Sequence, residues 1–171
     1  ENSAEGSMED LNMIYDIAKT LPLNTYSVLG YSFDSWNTRA DGTGTKITNG
    51  EEVNNLAVNG IVNLYAKWIA KTDTTYKVEY YQENVDNDEY SLYETEYETG
   101  TTDTDASATI KTYENFTYDS NNTKNKITGN IERDGSLTLK VYYKRNIHTV
   151  EFNSNGGSTV NSIEKKHGAK L

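Results

Sequence analysis

Short runs in which apolar and polar residues alternate recur along the chain, and each predicts a strand with one face turned toward a core. The cleanest is Val62-Asn63-Leu64-Tyr65-Ala66-Lys67-Trp68, where Val62, Leu64, Ala66 and Trp68 share a face. Gly30-Tyr31-Ser32-Phe33-Asp34-Ser35-Trp36 places Tyr31 and Phe33 together in the same way. Between these runs, Asp41-Gly42-Thr43-Gly44 reads as a turn, because glycine accepts the positive φ that reversals require. Further on, Tyr76–Gln82 alternates and Tyr90–Tyr97 returns as its partner strand. Leu137, Leu139, Val141 and Tyr143 mark another half-buried strand, set off from Ile127–Arg133 by the turn pair Asp134-Gly135. His148–Phe152 is a last strand, followed by the turn Asn155-Gly156-Gly157.

Two stretches resist this reading. Met13–Ala18 is apolar but too short to decide between a strand and a helical turn. Asp103–Tyr113 allows a short helix capped by Thr104 or Asp105, with Ala106, Ile110 and Tyr113 on one side. The pattern divides the chain at a polar bridge, Lys71–Thr75. The expected organisation is a module over 1–70, a linker over 71–75, a second module over 76–146, and the opening strands of a further module over 147–171. The chain starts at Glu1-Asn2-Ser3 and stops at Ala169-Lys170-Leu171 in mid-pattern, as a piece of something longer would.

Composition narrows the function. The 14 Tyr, 3 Phe and 2 Trp supply bulky apolar surface to a chain only 35% hydrophobic, so thin cores stapled by aromatics are expected. A net charge of -10 repels phosphate backbones and argues against nucleic acid as a partner. Without a cysteine, disulfides and thiolate metal sites are excluded. No apolar run reaches the ~18 residues of a membrane helix, so direct membrane insertion is not expected.

The aromatic frame Gly30-Tyr31-Ser32-Phe33-Asp34-Ser35-Trp36, the Asp-Gly-Thr-Gly turn and the closing Leu64-Tyr65-Ala66-Lys67-Trp68 resemble the Listeria–Bacteroides repeat, the internalin-B-type B repeat of bacterial surface proteins. Ser32 and Ser35 stand where that family usually has Thr and Gly. The family's opening strand is missing from residues 1–70, whereas Val150-Glu151-Phe152-Asn153-Ser154-Asn155-Gly156-Gly157 is similar to it. Aligned as repeats, Gly6 matches Gly157, 151 residues on, which suggests a compound unit reiterated in tandem. The middle section is similar, more loosely, to mucin-binding-protein-type modules, through Lys77-Val78-Glu79-Tyr80-Tyr81, Gly100-Thr101 and Lys140-Val141-Tyr142-Tyr143. The resemblance implies an α+β, predominantly β fold of tandem β-grasp-like modules with short helical segments. It also implies extracellular placement, wall-associated or secreted, and a spacer or adhesin role without catalytic residue or cofactor.

Candidate residues follow. Tyr31, Phe33, Trp36, Leu64 and Trp68 are expected in the core of the first module, in preference to sugar stacking by the two tryptophans. Tyr80, Tyr81, Tyr90, Tyr93, Tyr97, Tyr142 and Tyr143 form the candidate binding surface, and since neighbours on a strand face opposite ways, one of each adjacent pair should be exposed. A host or cell-surface glycan or protein is the partner such a surface would meet. Asp86, Asp88 and Glu89, or Asp103 and Asp105, offer carboxylates without calcium-loop spacing and read as solvated turns. Lys77 or Lys140 beside an Asn is the candidate for an intramolecular isopeptide bond. No metal site is expected, since both histidines, His148 and His167, lie in the tail. The first module's missing strand would leave an open edge, and Thr149–Phe152 would be a strand without a sheet, so head-to-tail self-association through 147–171 is expected. The alternatives to a spacer are a glycan- or protein-binding module and an accessory segment of a secreted carbohydrate-active enzyme.

Overall fold

Most of the alternating runs become strands in the computed structural model, which describes residues 4–170, with Glu1-Asn2-Ser3 and Leu171 outside it; of the Val62–Trp68 run only Tyr65 onward is strand. Two compact units result. The first holds residues up to Thr74 with the loops Thr101–Asp103 and Glu132–Asp134; the second holds Thr75–Gly100, Thr104–Ile131 and the chain from Gly135 onward.

In the first unit β1 (Lys19–Thr20) pairs with β4 (Glu52–Val53), and β2 (Tyr31–Asn37) lies between β3 (Lys46–Ile47) and β5 (Tyr65–Ala70). All of these pairings are antiparallel. The core gathers Leu21, Trp36, Ile47 and Val53, with Tyr26, Phe33, Leu64 and Ala66 packed against them. Strict alternation would put Phe33 and Trp36 on opposite faces. A bulge between Phe33 and Ser35 adds one residue to β2 and reverses the parity. The two rings then meet, with centroids 5.0 Å apart. Phe33 also meets Trp68 edge to face at 5.6 Å. Trp36 is buried, while Tyr31, Phe33, Leu64 and Trp68 are half-buried. After β2, the buried Asn37 amide organises the Asp41–Gly44 turn: its Oδ1 accepts from the N–H of Arg39 and Gly44 at 2.9 and 3.1 Å. Met13–Ala18 is neither strand nor helix but a turn at Tyr15-Asp16, tied back by reciprocal bonds between Asp16 and Asn55.

In the second unit β6 (Thr74–Glu83) and β7 (Tyr90–Gly100) are adjacent strands joined by a six-residue loop, closed where Asn84 N–H donates to Glu89 O at 2.7 Å. β8 (Asp105–Ser107), β9 (Phe116–Tyr118), β10 (Thr128–Asn130) and β11 (Thr138–Arg145) follow. The four-stranded sheet runs β7-β6-β11-β9, with β11 parallel to β6 and antiparallel to β9. Its core is Tyr76, Val78, Tyr80, Ala106, Ile131, Leu137, Leu139, Val141 and Tyr143. The tail forms an antiparallel hairpin of β12 (Ile147–Val150) and β13 (Ile163–Lys166).

Two expectations are corrected. The fold is all-β, with no helix among the described residues, so the α+β, β-grasp-like class with helical segments does not hold. The stretch thought to carry a helix instead starts with Asp103 at φ +59, in the left-handed region, and then lays Asp105–Ser107 against Thr128–Asn130. Ser and Thr compete poorly for helix, and the sheet pairing buries Ala106 opposite Gly129. Second, Thr149 and its neighbours are not a strand lacking a partner, because Ile147–Val150 pairs with Ile163–Lys166. The chain does turn at Arg133-Asp134-Gly135, as expected, with β10 paired to β8 before the turn and β11 crossing to lie parallel to β6 after it.

Candidate functional site: the tyrosines of the second unit

The parallel register of β6 and β11 sets Tyr80 beside Val141 and Tyr81 beside Tyr142. On the core face Tyr80, Tyr113 and Tyr143 cluster, with Tyr113 meeting Tyr143 edge to face at 4.9 Å. Their polar tips are matched. Tyr80 OH donates to Thr109 O at 3.1 Å, Tyr113 OH donates to Glu94 Oε2 at 2.6 Å, and Tyr143 Oη accepts the Lys111 N–H at 2.8 Å. The Lys111 ammonium bridges Glu94 and Glu96 at 3.0 and 2.6 Å and sits 4.5 Å above the Tyr80 ring. Burial, then the hydrogen bond to Glu96, pushes the Tyr80 phenol up to about 12. Tyr113 and Lys111 hold Glu94 below the usual carboxylate range.

The opposite face is equally self-contained. Tyr81 and Tyr142 stack with centroids 4.6 Å apart and planes within 7°, and Tyr90 caps Tyr142 edge-on at 5.3 Å. Tyr81 OH donates to Glu79 Oε2 at 2.7 Å, and Tyr90 OH to Asp119 Oδ2 at 2.8 Å. Burial, then the carboxylate partner, raises both phenols to about 12. Burial also pushes the Glu79 carboxyl upward, but hydrogen bonds from Tyr81 and Lys77 outweigh it and leave a lowered value.

Of the seven candidate surface tyrosines, then, Tyr80, Tyr142 and Tyr143 are buried, and Tyr81 and Tyr90 are half-buried in stacks. Neither adjacent pair has the fully exposed ring expected of it: Tyr81 is half-buried beside the buried Tyr80, and Tyr142 and Tyr143 are both buried, the Tyr81 and Tyr90 rings covering Tyr142 from its outer side. Tyr93 and Tyr97 are 60% and 74% exposed and stand on the outermost strand, β7, with Leu92 at 53%. Tyr93 rests edge-on against Tyr113 at 5.3 Å. Sequence reasoning missed the Lys111 bridge. The Glu94-x-Glu96 spacing puts two carboxylates on one face, but nothing local marks Lys111 as the cation between them.

Several of the remaining candidates find partners too. Lys77 and Lys140 both approach Glu79, at 3.2 and 3.9 Å. Asp103 accepts from Arg133 Nη2 at 2.9 Å and from Tyr31 OH, which hold its carboxyl low. Asp88 pairs with Lys166 at 2.8 Å, and Lys166 also reaches the buried Glu83 at 2.9 Å. No group of three or more His, Asp or Glu side chains suited to a metal converges among the described residues.

No known family profile matches the chain, and no solved structure matches it. Over 153 residues, 83% of the chain, it is 30% identical to a protein of Evansella cellulosilytica provisionally described as a Gly-rich membrane protein. The chain spans 17% of that relative's length. No helix among the described residues is long and apolar enough to cross a membrane.

Proposed function

We propose that the chain is a non-catalytic segment of a bacterial cell-surface protein, serving as a spacer or stalk that transmits tension. What carries the reading is the way the chain enters and leaves the four-stranded sheet. It enters at the start of β6 and leaves at the end of β11, and these two strands are parallel neighbours at the centre, paired from Lys77↔Thr138 to Gln82↔Tyr143. Parallel strands put those two points at opposite ends of one ladder. Tension along the chain therefore shears six register pairs together instead of opening them in turn. The short span of a much longer relative, described as a membrane protein, supports a cell-envelope setting and a segment among others.

Force spectroscopy on the full chain tests this. The sequence has no native cysteine, so handles go where they are placed. Handles at Thr75→Cys and Lys144→Cys load the central ladder in shear, whereas handles at Thr75→Cys and Thr99→Cys peel β7 from β6. The first geometry should need a several-fold higher rupture force; equal forces would refute the proposal.

The exposure of Leu92, Tyr93 and Tyr97 along β7 favours a second reading, in which this outermost strand meets an extended glycan or protein segment. Retention on a glycan array or host extract, lost in Tyr97→Ala at unchanged melting temperature, would support it. No retention of the unaltered chain would remove it.

A further inference from the structure

The two histidines of the chain, 19 positions apart in sequence, are brought together by the tail hairpin. His148 lies in β12 directly opposite Lys165, and His167, immediately after β13, lies two positions past Lys165, so the imidazoles are diagonal neighbours across the ladder. His148 Nε2 and His167 Nδ1 are 3.2 Å apart, with ring centroids at 5.3 Å. His167 is fixed by its backbone: its N–H donates to Asn146 O at 2.8 Å, and its carbonyl accepts from Arg145 Nη1 at 3.3 Å. His148 is exposed and His167 half-buried, so the pair is open to solvent.

The geometry points to a two-histidine site for a divalent late-transition cation such as Zn²⁺ or Cu²⁺, closing the mouth of the hairpin. Two nitrogens bound to one cation at about 2.0–2.1 Å stand about 2.8–3.4 Å apart for angles between square and tetrahedral. The observed separation already lies in that window, so small ring rotations suffice. In the free protein one ring donates its N–H to the other. For both facing nitrogens to ligate, His148 carries its proton on Nδ1 and His167 on Nε2, a change of tautomer that releases no proton when both rings are neutral. Water fills the remaining positions, as in other open sites. Imidazole donors suit Zn²⁺ and Cu²⁺, and Cu²⁺ binds the more tightly of the two. The charges around the pair act against the cation: Lys165 faces His148, and the Arg145 guanidinium lies at the His167 carbonyl. The acidic groups nearby, Glu83 and Asp88, are occupied by Lys166.

The test is calorimetric titration of the full chain, free of any affinity tag, with Zn²⁺ and then Cu²⁺ in a non-coordinating buffer, alongside amide spectra. One equivalent should bind, shifting amides of residues 145–168 and slowing their hydrogen exchange. Cu²⁺ should bind at least tenfold more tightly than Zn²⁺. His148→Ala and His167→Ala should each weaken binding at least tenfold, and Lys165→Gln should tighten it several-fold. Electron spin-echo spectra of the Cu²⁺ form should show two imidazole nitrogens, falling to one in either single variant, which keeps the test valid even if a variant loosens the hairpin. Binding undiminished in both histidine variants, amide shifts confined to other segments, or no saturable binding would overturn the assignment.

Discussion

Replacing Trp36 by Ala isolates the contribution of the first unit's core. The indole is buried and packs edge-on against Tyr26 at 6.3 Å and tilted against Phe33 at 5.0 Å. A buried Trp removes about 150–250 Å² from water, which at about 25 cal/mol per Å² bounds the loss near 4–6 kcal/mol. That bound uses an extended unfolded chain, and large-to-small core substitutions of this type cost about 3–5 kcal/mol in practice. A unit of roughly 80 residues is stable by about 4–12 kcal/mol in total. Trp36→Ala should therefore bring the first unit close to unfolding while the second stays intact. Guanidinium titration followed by Trp68 fluorescence reads the first unit, and tyrosine near-ultraviolet circular dichroism reads mainly the second, which holds the larger tyrosine clusters. Trp68, half-buried and touching only Phe33 among the rings, should cost less than half as much when truncated. A loss below about 1 kcal/mol for Trp36→Ala, or equal losses at the two tryptophans, would contradict the packing account, since large values attach to cavities in a filled core.

Two further outcomes follow from the second unit. Tyr80, Tyr81 and Tyr90 have phenols raised from 10.0 to about 12, so their contribution to stability is complete below pH 10 and is lost as pH rises through about 12. Phenolate absorbance should show a late-titrating group of tyrosines whose ionisation coincides with loss of near-ultraviolet dichroism; fourteen tyrosines titrating together near pH 10 with no unfolding would refute their buried, hydrogen-bonded placement. Gly135 has φ +73, and an added Cβ would lie 2.9 Å from Thr75 O, so Gly135→Ala should cost more than the roughly 1–2 kcal/mol of left-handed backbone strain alone. Gly156→Ala, at φ +96 with nothing within 4 Å, is the control that carries only the backbone component, and thermal melts showing the reverse order would be inconsistent with the close approach.

The strands were legible because alternation is a local property: Leu139, Val141 and Tyr143 fall on the core face as their spacing requires. Pairing was not, because a strand's own pattern says nothing about its neighbour. Asp134-Gly135 reads correctly as a turn, but nothing local shows that β11 beyond it crosses to pair in parallel with β6. The bulge at Phe33/Ser35 was hidden for a related reason, since an inserted residue reverses parity without leaving a compositional mark. In the tyrosine cluster, alternation places Tyr80 and Tyr143 inward, but Tyr142 is covered by rings arriving from β6 and β7, and this depends on tertiary register. The false helix came from reading Thr104 and Asp105 as caps when the same polar side chains also suit a turn.

The tail hairpin differs from the central ladder in one respect with a practical outcome. Ile147 and Lys166 are paired, so the chain passes into and out of the hairpin at the same place. A pull along the chain would part the rungs one after another, at lower force than the sheet withstands. The roughly 20 residues released would pay out about 65–70 Å of slack, at 3.3–3.6 Å per extended residue. Re-zipping on release would make the hairpin a reversible shock absorber in series with a stiffer element. A force–extension trace without an early, recoverable step of that length would exclude this role, and a cation clamped between His148 and His167 should move the step to higher force.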